Sequence, residues 1–231
     1  MRRYRAFWST LLAVALLLAA AGYWGPWVSH RAAALVIPGL DLAEYVKFLP
    51  EYRSGRLHVI REGFYLPLLT LSLALSTLSW RKDIWWPRVV RAVGWLASIS
   101  TALAMLPPAW SLAVLRLLEF RLQVIFITVC LVMAMIAPLW RRWRMVWLAW
   151  AMAILSIAAV VVPIAQFLMI RPALDRVYGR PIVIGWGPGV MAIGLGLLAI
   201  SAVSLARNQV GGRCENRLSK KKVGVWRRHT L

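Results

Sequence analysis

The sequence predicts an all-α integral membrane protein of six transmembrane helices, paired as three hairpins with both termini cytoplasmic. Three observations carry this expectation. The 231 residues are 61% hydrophobic and 16% charged, against about 25% charged in a soluble domain. Six apolar stretches approach the about 20 residues that cross a hydrocarbon core as helix. Lys and Arg crowd alternate loops, the asymmetry that sets orientation in a bilayer.

The first stretch, Phe7–Trp27, follows the basic, aromatic lead-in Arg2-Arg3-Tyr4-Arg5-Ala6-Phe7-Trp8. A positive head, an apolar run and the small residues Ala19-Ala20-Ala21 also fit a cleavable signal peptide. Apolar character continues through Gly22-Tyr23-Trp24-Gly25-Pro26-Trp27, which favours a retained anchor. Cleavage would leave five spans in an unchanged orientation.

Residues 28–62 form the longest loop. Asp41 and Glu44 have capping-box spacing, and Leu40 and Tyr45 could form the accompanying hydrophobic staple. Leu42, Tyr45, Val46 and Leu49 then share one helical face, while Asp41, Glu44 and Lys47 fall off it. Pro50 ends the run. The pattern predicts a short amphipathic helix that lies on the membrane or caps the bundle.

The remaining spans are Gly63–Trp80, Ala92–Trp110, Val124–Trp140, Met145–Ile170 and Ile182–Ala206. Basic, aromatic lead-ins recur at 88–95 and 141–147. Arg-x-x-Val-Ile recurs at 56–60, 121–125 and 180–184. This suggests an internal repeat of three hairpins running in one sense. Pro163 is the single candidate for a broken helix of the kind found in carriers. Gly185 and Gly189, then Ala192 and Gly196, are small residues four apart, which lets helices approach closely within the bundle or against a partner. Residues 1–206 thus form one transmembrane domain. Residues 207–231, with Lys220-Lys221-Lys222 and Arg227-Arg228, read as a basic, disordered cytoplasmic tail.

The net charge of +20 is explained by topology, so nucleic acid is not required. The N-terminus, the 81–91 and 141–144 loops and the tail hold 18 Lys/Arg against 10 on the other side. Asp83 and Glu215 share that basic side, and Asp41, Glu44, Glu51, Glu62, Glu119 and Asp175 lie opposite. The positive-inside rule puts the basic side in the cytoplasm of the inner membrane. The partners expected are the bilayer itself and anionic lipids at the tail, drawn by about 1 kcal/mol per Lys or Arg. A membrane-protein partner or a second copy is also expected. Trp8, Trp80, Trp85, Trp86, Trp140, Trp143 and Trp147 mark the inner boundary, and Trp24, Trp27, Trp110 and Trp186 the outer one, as an aromatic belt requires.

No ionisable residue lies in the central part of any span, which argues against a proton-coupled pump or a charged ion pore. Cys130 and Cys214 are too far apart to pair. His30, His58 and His229 belong to no metal motif, so neither metal nor cofactor is expected. No nucleophile elbow or phosphate loop is present, and Ser72, Ser76 and Ser79 suit bonds back to their own helix.

What remains is a ring of charge at the outer ends. Arg53, Arg56, Arg61, Arg116, Arg121, Arg176 and Arg180 could bind an anionic group through forked donors. Glu62 is the first candidate for a general base and Glu119 the second. Glu51 with Arg56 and Asp175 with Arg180 suit anchoring pairs, and Gly55 and Gly179 suit turns. A non-enzymatic subunit, assembly factor or scaffold is the leading expectation. A carrier for a small or lipidic substrate is second, and an enzyme acting on lipid-linked phosphates at the outer leaflet is third.

Overall fold

A computed structural model describes residues 2–29, 36–107, 111–142 and 145–226. In chain order the elements begin with α1 (Arg2–Trp24), β1 (Pro26–Ser29), β2 (Val36–Pro38), α2 (Gly39–Tyr45) and α3 (Pro50–Arg53). They continue with α4 (Leu66–Ser79), α5 (Arg88–Leu103), α6 (Leu112–Leu115), α7 (Arg121–Ile136) and α8 (Met145–Tyr178). The last are β3 (Val183–Ile184) and α9 (Gly187–Trp226).

The six main helices, α1, α4, α5, α7, α8 and α9, alternate in direction. Gly22 of α1 meets Gly187 and Met191 of α9, and Ala15 and Ala19 meet Gly194, so this pair is antiparallel. Ser72 and Ser79 of α4 face Ser98 and Gly94 of α5 in the same reversed order. Met105, just past α5, and Trp95 within it meet Gln123 and Ala134 of α7. Thr70 Oγ1 reaches the Leu155 carbonyl of α8 at 3.4 Å. Helix α4 is the hub, flanked by α1, α5, α7 and α8, and most of its side chains are buried. Of its serines, Ser76 and Ser79 bond back to their own helix as expected, and Ser72 instead donates across to the Ser98 carbonyl at 2.8 Å.

Among the described residues four segments are long and apolar enough to cross a membrane: Ala6–Trp24, Leu118–Leu139, Met145–Tyr178 and Gly187–Arg207. Helices α4 and α5, with 14 and 16 residues, rise about 21 and 24 Å against a core of about 30 Å. Both are shortened for local reasons. A 3-10 turn, Arg61–Tyr65, precedes α4, with Gly63 held so close to Gln166 that an added Cβ would lie 2.5 Å from its Oε1. Pro107 and Pro108 follow α5, and proline neither donates to a helix nor tolerates one just before it.

The helical membrane class holds, with one addition and several corrections. Strand β1 pairs antiparallel with both β2 and β3 in a small sheet. That sheet, with Gly185 N–H donating to the Trp27 carbonyl at 2.9 Å, fastens the end of α1 to the start of α9. Trp27 is fully buried, packed edge-on against Phe64 and Phe167, and so belongs to the core and not to an interfacial belt. Trp110 and Trp143 lie outside the described residues. Helix α8 runs unbroken through Pro163 and Pro172. The Val-Ile pairs at 59–60, 124–125 and 183–184 are coil, helix and strand, so they carry no structural repeat. The backbone of α9 is helical to Trp226, and residues 227–231 lie outside the described part.

Of the glycines expected to pack closely, Gly185 does so, and its companions are different ones. A Cβ on Gly22 would lie 2.1 Å from Met191 N, one on Gly194 2.3 Å from Ala19 N, and one on Gly185 2.0 Å from the Pro26 carbonyl oxygen. Gly189 and Gly196 have no neighbour within 4 Å of such a Cβ. The seam is therefore Gly187, Met191 and Gly194, a helical stripe one step round from the one the sequence suggests.

The loop from α2 to α3 behaves largely as its pattern predicts. Leu42, Val46 and Leu49 are buried against the bundle, so the amphipathic segment caps the core. The capping box itself is not formed. Pro38 is the N-cap, which places Asp41 inside the helix, and no side chain caps it. Pro50 opens α3 in place of merely ending the run, a position where its missing N–H costs nothing.

Candidate functional site

At the end of the bundle that carries α2 and α3, the distal end, charged residues from three segments converge. The 3-10 turn before α4 supplies Arg61 and Glu62. The amphipathic segment supplies Glu44 and Lys47, and a 3-10 turn at Leu118–Phe120 supplies Glu119. The amphipathic segment buries its apolar face inward and so swings Glu44 and Lys47 over the mouth of the bundle.

Arg61 is the centre, with 2% of its surface exposed. Its Nε lies 3.0 Å from Glu62 Oε1, and its Nη1 3.4 Å from Glu119 Oε1 and 3.7 Å from Glu44 Oε1. Its Nη2 donates to the Glu119 carbonyl. Lys47 Nζ sits 2.8 Å from Glu44 Oε2 and 3.1 Å from Glu119 Oε1. Both cations lie over the Phe120 ring, at 4.5 Å for Lys47 and 4.9 Å for Arg61, an attraction that grows from about 0.5 to about 2 kcal/mol as the groups are desolvated. Tyr65 O–H donates to Glu44 Oε1 at 3.2 Å. The buried Gln123 amide donates to the Tyr65 hydroxyl at 3.4 Å and to the Met105 carbonyl.

Three carboxylates thus face two cations. Such a cluster is expensive to break, because removing one member strands another charge in a poorly solvated place. Glu62 and Glu119, the two candidate bases, are brought together, each with its Oε1 on Arg61. Among the described residues no serine, cysteine or histidine shares a hydrogen bond with these carboxylates. Nor is any group of three His, Cys, Asp or Glu placed to hold a metal ion.

The other six candidate arginines are not gathered there. Arg53, Arg56, Arg116, Arg121, Arg176 and Arg180 are all exposed. The expected anchoring pairs are rearranged: Glu51 pairs with Arg176 at 3.3 Å, and Asp175 accepts the Ile182 N–H at 2.7 Å. Nearby, the Tyr45 and Tyr178 hydroxyls meet at 2.9 Å. These contacts tie the α2–α3 loop to the end of α8. Gly55 and Gly179 do supply turns, at φ +71° and +64°.

Glu44, Lys47, Tyr65 and Gln123 were missed as members of the site. Glu44 and Lys47 were visible as the polar side of the amphipathic segment, and Gln123 as a lone amide within an apolar run. Of the histidines, His58 is exposed, and His30 and His229 lie outside the described residues.

The chain matches no known family model, no curated protein and no solved structure.

Proposed function

We propose that this is a six-span protein of the inner membrane, with both termini cytoplasmic, acting without catalysis as a subunit, assembly factor or scaffold. The observation that carries the reading is the Arg61 cluster. Its charges are paired with one another across three segments, which makes it a clamp on the distal loops. Six spans are supported by the alternation of the six helices, and the orientation by the 18 Lys/Arg that the sequence places in the N-terminus, the 81–91 and 141–144 loops and the tail. Gly189 and Gly196, open to added atoms and interleaved with the exposed Ile193 and Ile200, form a face that another helix can approach closely.

The test is extraction from the native membrane in a mild detergent, followed by identification of every co-purifying protein. A stoichiometric membrane partner is expected. A protein that purifies alone under several mild detergents contradicts the subunit reading.

One observation favours the second reading, a carrier. A lateral cavity of about 140 Å³ opens between α4, α7 and α8, walled by Thr70, Thr77, Met133, Trp147 and Leu155 among others. Its threonine hydroxyls are turned back onto α4, so its walls suit an apolar substrate. Substrate-dependent flux in liposomes would shift the reading to this one.

A further inference from the structure

A second groove lies between the start of α8 and the Val203–Arg207 part of α9, at the end of the bundle opposite the Arg61 cluster. Val146, Ala149 and Trp150 form one wall, Val203 and Ala206 the other, and Arg207 stands at the mouth. The volume is about 220 Å³, below the about 300–1,000 Å³ of a pocket that encloses a small molecule. It therefore takes part of a chain and leaves the rest outside. The walls are apolar, and the exposed Arg207 is the charged side chain among the lining residues.

We propose that this groove binds one anionic phospholipid, with an acyl chain between α8 and α9 and the phosphate on Arg207. Three features point to that occupant over another. The groove sits at the end of a membrane-crossing segment, since Gly187–Arg207 is one of the four long apolar helices, so hydrocarbon chains surround it. Arg207, the cation among the described lining residues, lies where headgroups begin, and arginine offers a phosphate two donors at once. Both neighbouring stretches of sequence are basic: Arg141, Arg142 and Arg144 precede α8, and Arg213, Arg217 and Lys220 follow Arg207. Basic pockets between helices at a membrane surface favour anionic headgroups. The inference rests on the chain being embedded in a membrane and is independent of any protein partner.

The test is thermal unfolding of the full chain in detergent with added phosphatidylglycerol or, separately, phosphatidylcholine. Phosphatidylglycerol is expected to raise Tm by a few degrees more than phosphatidylcholine. Arg207→Gln should lose that excess, Arg207→Lys should keep part of it, and Ala206→Phe, which fills the groove, should reduce the response to both lipids. Replacing Lys220, Lys221 and Lys222 together by Gln should leave the excess in place. Equal shifts with the two lipids, or an excess that survives Arg207→Gln, would overturn the proposal. An excess lost only in the triple lysine variant would assign the effect to the basic segment beyond the groove and overturn it equally.

Discussion

Arg61 donates to the backbone carbonyl of Glu119 and lies 3.4 Å from that residue's carboxylate, joining positions 58 residues apart. The contact couples the turn that precedes α4 to the turn that precedes α7. Lys47 reaches the same carboxylate from the amphipathic cap. The distal end is thus tied by charge in addition to the apolar face of the cap, and the predictions below separate charge from packing.

Arg61→Ala should destabilise the protein by about 3–5 kcal/mol, the usual cost of breaking a buried ion pair. Arg176→Gln should cost about 0–1 kcal/mol, because Arg176 is 67% exposed in its pair with Glu51. Unfolding in detergent, followed by helical signal, compares the two.

Gly22→Ala and Gly194→Ala should each cost about 1–3 kcal/mol or more, the range for overpacking a close contact. Their added Cβ atoms meet backbone, which cannot swing aside. Gly189→Ala and Gly196→Ala meet open space and should stay within about 0.5 kcal/mol, as surface changes do. Melting temperatures of the four variants check the assigned seam between α1 and α9.

Gly55→Ala and Gly179→Ala isolate backbone strain, since neither added Cβ has a neighbour within 4 Å. Each should lose about 1–2 kcal/mol for placing a side chain at positive φ. Asn at either position should recover part of the loss, because it tolerates that region better.

Topology is tested by single cysteines in a background with Cys130 and Cys214 replaced by Ser. Cysteines at Ser54 and Gly179 should react with an impermeant reagent from one side, and one at Lys82 only from the other. Equal reactivity of the Ser54 and Lys82 positions from one side would mean that the 14-residue α4 does not cross.

Much of this was legible in the chain. Apolar length and loop charge give a membrane helix bundle, and the spacing of Leu42, Val46 and Leu49 gives the buried face of the cap. The matched positions of Gly55 and Gly179 give two left-handed turns. Partner choice was not legible. Glu51 was matched by spacing to Arg56 but pairs with Arg176, because sequence distance says little about which loops meet at a bundle end. Trp27 at the end of an apolar run reads the same whether its ring faces headgroups or a core. The small-residue stripe of α9 fails for a similar reason: spacing four apart identifies a face, and only the neighbour α1 decides which face is used. The β1–β2–β3 sheet rests on strands of two to four residues, too short for an alternating pattern to show.

The clamp at the distal end is tested most directly by a double-mutant cycle on unfolding free energy, using Arg61→Met, Glu119→Gln and the pair together. A shared interaction predicts non-additivity of about 0.5–3 kcal/mol, with the double variant less destabilised than the sum of its parts. Strict additivity would contradict the clamp and leave Arg61 and Glu119 free for a separate role.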